Sequence, residues 1–271
     1  DSVMNTFKPQ LEQLEDRTLP AVTALFNGGI LSVIGDNASN NILVSADAGG
    51  NVQVTNNGQQ VAIRSPFSSG PVTTAQLTNI VIDGKGGNDT LATDRSLNVL
   101  DANGVLASAA SATLLGGNGN DTLTVGHGGI VGGAAGVVNG VVVGRVVGNA
   151  FMDGGRGNDT LNSGFGNDIM RGGRGNDQYF WLPGTLTDVW DGGAGFDTAT
   201  IIGNDNANDA FLLSGNGDRV LFQRTNLVQF SVDIGGTEKV VLRPGSGDDT
   251  VMIQALAGVK SLVKVSADGG L

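Results

Sequence analysis

The sequence predicts an all-β protein whose short strands repeat along a parallel solenoid. Three observations predict this fold: a high glycine content, a nine-residue repeat, and apolar residues that alternate with polar ones. Of the 271 residues, 45 are glycine, and glycine costs about 1 kcal/mol relative to alanine inside a helix. We therefore expect strands joined by many tight turns.

The charged residues indicate cations as partners. Of the 26 acidic residues only Glu12, Glu15 and Glu238 are glutamates, and the net charge is −11. This charge argues against nucleic acids and anionic membrane surfaces, which require basic patches. The chain has no cysteine and a single histidine, which excludes disulfides, zinc-thiolate sites and sites that need two histidines.

A nine-residue repeat organises the chain. The string GGNGNDTLT begins at Gly116, and three units, GGRGNDTLN, SGFGNDIMR and GGRGNDQYF, run without a gap over residues 154–180. Looser copies occupy residues 84–92, 192–200 and 244–252. In all seven units the sixth position is aspartate: Asp89, Asp121, Asp159, Asp168, Asp177, Asp197 and Asp249.

Each unit predicts one turn followed by one short strand. The first six positions are glycine-rich and polar, which favours a turn, and the last three contain one apolar residue that points inward. A single unit cannot bury this residue, but stacked units can, with Leu123, Leu161, Met170 and Tyr179 forming the core. The repeat therefore predicts a parallel β-solenoid.

Stacking also predicts a metal site. Related loops lie above one another, so carboxylates and main-chain carbonyl groups converge between layers without a positive charge to balance them. A hard cation with oxygen ligands fills such a gap. Ca²⁺ suits it better than Mg²⁺, because Ca²⁺ accepts six to eight oxygen ligands in flexible geometry.

These units resemble the RTX, or haemolysin-type, calcium-binding repeat, whose signature is G-G-x-G-x-D followed by a short apolar strand. The resemblance implies a parallel β-roll with two units per turn and several calcium ions, about four or more, between loops one full turn apart. It implies that Asp159 and Asp177 share an ion, that Asp168 lies on the opposite edge, and that Asp188 is a possible extra ligand. Besides the seven aspartates, the implied metal-site residues are Gly116, Asn118, Gly154, Arg156, Gly172, Arg174 and the aspartates that precede loops, Asp83, Asp153 and Asp191.

Departures from the signature predict weaker sites in some units. Lys85 replaces the second glycine of its unit, and Ser163 and Pro244 replace the first glycine of theirs. A longer repeat aligns residues 34–44 with residues 202–212. In this alignment Asn41 stands where the second copy has Asp209, which makes a strong ion site less expected there.

The repeats divide the chain into five predicted segments. The first is an N-terminal export or capping segment (1–22). Within it, residues 7–20 resemble the LExLExR-type motif of exported planctomycete proteins, and a short helix that caps the solenoid is an equally good interpretation. The other segments are a first β module (23–95), a central roll (96–200) with a Gly/Val-rich insertion (126–150), a second β module (201–253), and the start of a truncated repeat (254–271). We expect the insertion to form extra strands; the alternative is an adhesive edge for self-assembly.

The predicted function is that of a calcium-stabilised, non-catalytic structural or adhesive protein outside the cell or on its surface. Self-assembly and a polysaccharide or matrix partner are compatible with this role. The mechanism is linkage, since calcium binding supplies folding free energy to a glycine-rich, acidic chain. The alternative is an RTX module of a larger secreted effector or polysaccharide-active enzyme whose functional domain is not in this chain.

Overall fold

The structure is a computed structural model of the chain, and it describes residues 22–67, 69–100, 106–138, 141–181, 186–205, 207–227 and 229–268. The predicted N-terminal helix and motif therefore lie outside the described residues, as do the final residues 269–271. In the part of the chain that the structure describes, no helix is long and apolar enough to cross a membrane.

The described residues are nearly all β, as the repeat predicts. The first thirteen strands are β1 (Thr23–Asn27), β2 (Ile30–Ile34), β3 (Asn41–Ala46), β4 (Val52–Asn56), β5 (Gln59–Val61), β6 (Ile63–Arg64), β7 (Asn79–Asp83), β8 (Thr90–Thr93), β9 (Val99–Leu100), β10 (Leu106–Ser108), β11 (Ser111–Asn118), β12 (Thr122–Val125) and β13 (Gly129–Val138). The remaining strands are β14 (Val141–Val147), β15 (Ala150–Arg156), β16 (Thr160–Asn162), β17 (Ile169–Arg174), β18 (Gln178–Trp181), β19 (Asp188–Ala194), β20 (Thr198–Ile202), β21 (Ala210–Asn216), β22 (Arg219–Arg224), β23 (Phe230–Gly235), β24 (Lys239–Arg243), β25 (Thr250–Ile253) and β26 (Lys264–Ala267). Single 3₁₀ turns cover Thr74–Gln76 and Arg95–Leu97.

Two sheets of stacked strands enclose one core. The first sheet has the order β25-β21-β22-β23-β19-β17-β15-β11-β7-β2-β1-β6, and the second has the order β26-β24-β20-β18-β16-β12-β8-β3-β4-β5. In the centre the chain alternates between the sheets and the neighbouring strands are parallel, as in β15 with β17 and β16 with β18. This is the architecture of a parallel β-roll.

Inward-pointing apolar residues form two ladders, one on each sheet. In the first sheet the register aligns Ile82, Leu114, Met152, Met170 and Trp190, and all five are fully buried. In the second sheet the register aligns Leu91, Leu123, Leu161, Tyr179 and Ala199, which are also fully buried. Consecutive nonapeptides therefore contribute to opposite sheets.

The two ends of the roll carry antiparallel meanders. In the first module β3, β4 and β5 extend the second sheet, whereas in the second module β21, β22 and β23 lie in the first sheet. Each meander follows a loop that is hydrogen-bonded to a loop later in the chain. In the first module Gly35 N–H donates to the carbonyl of Asp83, and in the second module Gly203 N–H donates to the carbonyl of Arg243. The second meander returns to the roll, since β23 pairs with β19.

The Gly/Val-rich insertion forms an antiparallel hairpin. Strands β13 and β14 pair with each other, and in the described residues neither belongs to the two sheets of the roll. His127, which precedes this hairpin, is fully buried. Its Nδ1 lies 2.8 Å from the Thr93 hydroxyl and its Nε2 lies 2.8 Å from the Ala110 carbonyl oxygen.

Close contact between turns explains the glycines at the fourth position of the repeat. A Cβ atom at Gly157 would overlap the carbonyl oxygen of Gly119 in the preceding turn, and Gly157 has a φ of +136°. A Cβ atom at Gly175 would likewise overlap the carbonyl oxygen of Gly157. The stacking distance of the roll therefore depends on the absence of side chains at these positions.

We expect Gly157→Ala to destabilise the roll more than Gly58→Ala. Gly58 also has a positive φ, of +76°, but a Cβ there would meet nothing within 4 Å. Both substitutions carry a cost of about 1–2 kcal/mol for the left-handed backbone, and Gly157→Ala adds about 1–3 kcal/mol for the overlap. Urea unfolding in excess calcium measures the difference, and equal free energies of unfolding for the two variants would contradict it.

Candidate metal centre

The position-six aspartates of successive turns form a column along one edge of the roll, where the chain passes from the first sheet to the second. Each main-chain N–H at this position donates to the Oδ1 atom of the aspartate in the next turn, at 2.7–2.8 Å. The donor and acceptor pairs are Asn40 with Asp89, Asp89 with Asp121, Asp121 with Asp159, Asp159 with Asp177, and Asp177 with Asp197. These bonds fix the orientation of each carboxylate.

The second oxygen of each carboxylate in this column has no donor. The five aspartates, Asp89, Asp121, Asp159, Asp177 and Asp197, are at most 1% exposed, and their Oδ2 atoms are buried without a hydrogen-bond partner. None of the five takes part in an ion pair with another described residue. A buried, charged carboxylate without a partner is costly unless a cation or a proton neutralises it, so this column favours a bound positive charge.

Main-chain oxygens surround these free carboxylate oxygens. A Cβ at Gly116 would lie 2.5 Å from Asp121 Oδ2 and 2.6 Å from the carbonyl oxygen of Gly154, so both oxygens converge where the glycine leaves space. The same pair of oxygens surrounds Gly84, from Asp89 and Gly116, and surrounds Gly172, from Asp177 and Gly192, where the Tyr179 hydroxyl lies beside them as well. In each of these layers a free carboxylate oxygen and a carbonyl oxygen of the next turn converge, and oxygen donors of this kind suit Ca²⁺.

A shorter column lies on the opposite edge, where the chain returns from the second sheet to the first. Asp168 Oδ1 accepts a hydrogen bond from Ala150 N–H at 2.7 Å, and Asp188 Oδ1 accepts one from Asp168 N–H at 2.9 Å. Asp188 is fully buried and its Oδ2 atom has no hydrogen-bond partner. Asp188 therefore occupies the place of a sixth-position aspartate in a loop that lacks the glycine-rich signature.

Burial raises the pKa of these carboxyl groups, because the charged form loses its contact with water. Burial, with the charges of Asp177 and Asp121 in addition, raises the pKa of Asp159 from 3.8 to about 7. Burial likewise raises the pKa of Asp89 and that of Asp197 to about 6. The pKa of Asp188 rises to about 9, through burial and the charge of Asp168.

Comparison with known families agrees with this geometry. Residues 108–128 and 147–179 match the model of the RTX calcium-binding nonapeptide repeat, in four copies. The chain carries RTX calcium-binding repeats. No curated protein matches the chain. The matched residues contain the loops of Asp121, Asp159, Asp168 and Asp177. The structure adds Asp89 and Asp197 to the column of Asp121, Asp159 and Asp177.

Other residues predicted for the metal site lie outside the column. Asp83 forms an ion pair with Lys85, and Asp191 forms one with Arg219. Asp83, Asp153 and Asp191 are all partly exposed and do not share the buried position of the sixth-position aspartates. Their assignment to the metal site therefore stays a prediction.

The third position of the RTX loops contributes main-chain rather than side-chain contacts. The residues there, Asn118, Arg156 and Arg174, have exposed side chains. Their carbonyl oxygens accept hydrogen bonds from the fourth-position glycines of the preceding turns, namely Gly87, Gly119 and Gly157. These bonds hold adjacent loops together.

Asp209 forms an ion pair with Arg224. This residue is 2% exposed, and its Oδ1 accepts from Arg224 while its Oδ2 accepts from Asn204 N–H at 2.9 Å. Its own N–H donates to Asp249 Oδ1 at 2.8 Å, and Asp249 is partly exposed. Both oxygens of Asp209 are thus satisfied within the protein.

At the other end of the roll the sixth position is held by an amide. The prediction placed Asn41 there, but the structure places Asn40 in the column and Asn41 at the start of β3, exposed. The error comes from the extra residue in the loop before Asp209, which shifts the gap-free alignment by one. The Asn40 side chain donates to Asp36 and to the carbonyl of Ala38, and accepts from Asn56.

Two further elements of the site were missed at the sequence level. The fifth-position asparagines form a second hydrogen-bonded ladder, as Asn88 Oδ1 accepts from Asn120 N–H at 2.9 Å and Asn158 Oδ1 accepts from Asn176 N–H at 2.7 Å. The recurring asparagine before the aspartate was the available signal. The second element is Glu238, whose Oε2 accepts from Asp197 N–H at 2.6 Å.

No group of three His, Cys, Asp or Glu side chains that could hold a metal ion occurs among the described residues. This follows from the repeat, which supplies one sixth-position carboxylate per turn on each edge. The free Oδ2 atoms and the converging carbonyl oxygens still fit a calcium ion, because Ca²⁺ accepts carboxylate and main-chain carbonyl oxygens alike.

We expect the chain without calcium to become less stable as the pH rises from 5 to 8. The pKa of the column aspartates is higher in the folded chain than in the unfolded chain, so the folded chain holds more protons in this range and loses stability as they dissociate. Urea unfolding in excess chelator at both pH values tests this. In excess calcium we expect the free energy of unfolding to increase from pH 5 to pH 8, because metal binding requires deprotonated ligands. A chelated chain that is more stable at pH 8 would contradict the expectation.

Proposed function

We propose that this protein is a non-catalytic structural component, exported from the cell, whose roll folds when calcium binds. The observation that carries the proposal is the column of buried Oδ2 atoms at Asp89, Asp121, Asp159, Asp177 and Asp197, for which the described residues supply no positive charge. These aspartates, with loop carbonyl groups such as that of Gly154, are the proposed calcium ligands. Asp168 and Asp188 are the proposed ligands on the opposite edge.

The electrostatics support a link between calcium and folding. Without cations the carboxylates of successive turns repel one another at short distance in a region of low polarity. Calcium removes this repulsion only in the stacked arrangement, because the unfolded chain does not bring the loops together. Binding free energy therefore becomes folding free energy.

The calcium concentration outside cells supports an extracellular location. Extracellular calcium modules typically have dissociation constants of about 10⁻⁴–10⁻³ M, far above the level of calcium in the cytosol. A roll with sites in this range stays unfolded before export and folds afterwards. The −11 net charge, in the absence of bound ions, supports the same order of events.

We expect calcium removal to abolish most of the β structure, and Asp159→Asn to reduce calcium binding. The amide of this variant keeps an oxygen that accepts the hydrogen bond from Asp121 N–H, but it places an NH₂ group where a cation would bind. Asp248→Asn is the matched control, since Asp248 is exposed and precedes a sixth-position aspartate. Circular dichroism with and without chelator and equilibrium dialysis measure both effects. An unchanged spectrum after complete calcium removal, or no bound calcium, would refute the proposal.

We also propose that folded copies associate end to end. Strands β25 and β26 are the outermost strands of the two sheets at one end of the roll. Edge strands present unpaired main-chain groups to a further strand. Met252, Ile253 and Val263 at this end are 56%, 51% and 74% exposed, so an apolar surface accompanies an edge that no other described strand covers. The proposed occupant is the opposite end of a second copy.

We expect Met252→Lys to reduce this association, because a charge on an edge strand opposes strand addition. Ile169→Lys is the control, since Ile169 is 45% exposed on β17, a central strand of the same sheet. Sedimentation velocity over a range of protein concentrations in excess calcium measures the effect. A wild-type chain that stays monomeric, or two variants that associate equally, would contradict end-to-end assembly.

A further inference from the structure

A turn outside the nonapeptide repeats continues the column of aspartates. Strand β23 ends at Gly235, which pairs with Asp191, and β24 begins at Lys239, which pairs with Thr198. The register therefore places Gly236 beside Gly192 and Glu238 beside Asp197. One residue, Thr237, lies between Gly236 and Glu238. In the repeat loop four residues, 193–196, lie between Gly192 and Asp197.

The longer side chain of glutamate compensates for this shorter turn. Glu238 Oε2 accepts a hydrogen bond from Asp197 N–H at 2.6 Å, just as Asp197 Oδ1 accepts one from Asp177 N–H at 2.7 Å. Thr237 is 2% exposed and its hydroxyl donates to the Gly235 carbonyl at 2.9 Å, which holds the turn in place. Glu238 thus takes the sixth-position role in a turn that contains no nonapeptide.

Oxygen atoms converge here as they do inside the repeats. Asp197 is fully buried and its Oδ2 atom has no hydrogen-bond partner. A Cβ at Gly192 would lie 2.5 Å from this Oδ2 and would also overlap the carbonyl oxygen of Gly236. The same pair of oxygens, from Asp121 and Gly154, surrounds Gly116 within the repeats.

The nearby guanidinium group does not neutralise these carboxylates. Arg219 forms ion pairs with Asp191 at 3.2 Å and with Asp233 at 2.9 Å, and it donates to the carbonyl oxygen of Trp190. Neither Asp197 nor Glu238 is in an ion pair with another described residue. Two carboxylates and a carbonyl oxygen therefore face one another without a positive charge.

We propose that this turn and the last repeat loop form a calcium site, with the Asp197 and Glu238 carboxylates and the Gly236 carbonyl oxygen as ligands. The inference rests on the proposed function, since it assumes that the aspartate column binds calcium. It extends that column by one site beyond the last repeat loop on this edge, to a ligand that the nonapeptide signature does not contain.

Glu238→Gln in the full chain tests the site. The amide oxygen of the variant still accepts from Asp197 N–H, so the turn keeps its hydrogen bond but loses a charged ligand. We expect equilibrium dialysis with metal analysis to show one calcium ion fewer per chain, with the remaining ions bound as in the wild type. Asp248→Asn, which removes an exposed carboxylate, should leave the ion count unchanged.

The outcomes separate this site from the general proposal. A wild-type chain that binds no calcium overturns both. A wild-type chain that binds calcium, with the same ion count and affinities in Glu238→Gln, overturns this site alone. If Glu238→Gln does not fold in calcium, the ion count is measured on Glu238→Asp instead. Aspartate keeps the negative charge, but its side chain is too short to reach the site from a turn that is three residues shorter than a repeat loop. Loss of one ion, or an affinity at least tenfold weaker for one ion, supports the site, and unchanged binding overturns it.

Discussion

Uncompensated negative charge inside a stack of turns is the constraint on which the rest of the structure depends. Each turn brings one carboxylate to the same edge, and the hydrogen bond from the preceding turn to Oδ1 directs Oδ2 into a buried space. At neutral and higher pH that geometry favours a bound cation, because burial and the neighbouring carboxylates raise the pKa of Asp159 to about 7 and so make its charged form costly. The acidic composition, the stacking of the turns and the binding of cations therefore depend on one another.

The ends of the roll meet the same constraint with different chemistry. At one end Asn40 supplies a neutral amide, which is satisfied by its own loop and by Asn56. On the opposite edge the guanidinium of Arg224 balances Asp209. These groups belong to the chain and need no ion. At these two positions, one in each meander module, the charge is therefore balanced within the protein.

The glycines of the repeat serve geometry as much as turn formation. At Gly116 the missing side chain leaves the space in which Asp121 Oδ2 and the Gly154 carbonyl oxygen converge. At Gly157 it allows the carbonyl oxygen of the preceding turn to approach. A glycine-rich chain pays a large conformational entropy cost on folding, because glycine loses more backbone freedom than other residues. The stability that ions add is correspondingly important.

The sequence by itself determined the nonapeptide repeat, the all-β class, and the apolar residue and sixth-position aspartate of each unit, because these features recur in every unit. Only the tertiary structure decided that the apolar residues divide between two ladders, one on each sheet, and which residues that depart from the repeat enter the aspartate column. Asn40 rather than Asn41 enters the column, Arg224 reaches Asp209 from an antiparallel strand, and Glu238 joins from a shortened turn. Strand register sets these contacts, and register depends on pairing between distant segments, which a local pattern does not contain.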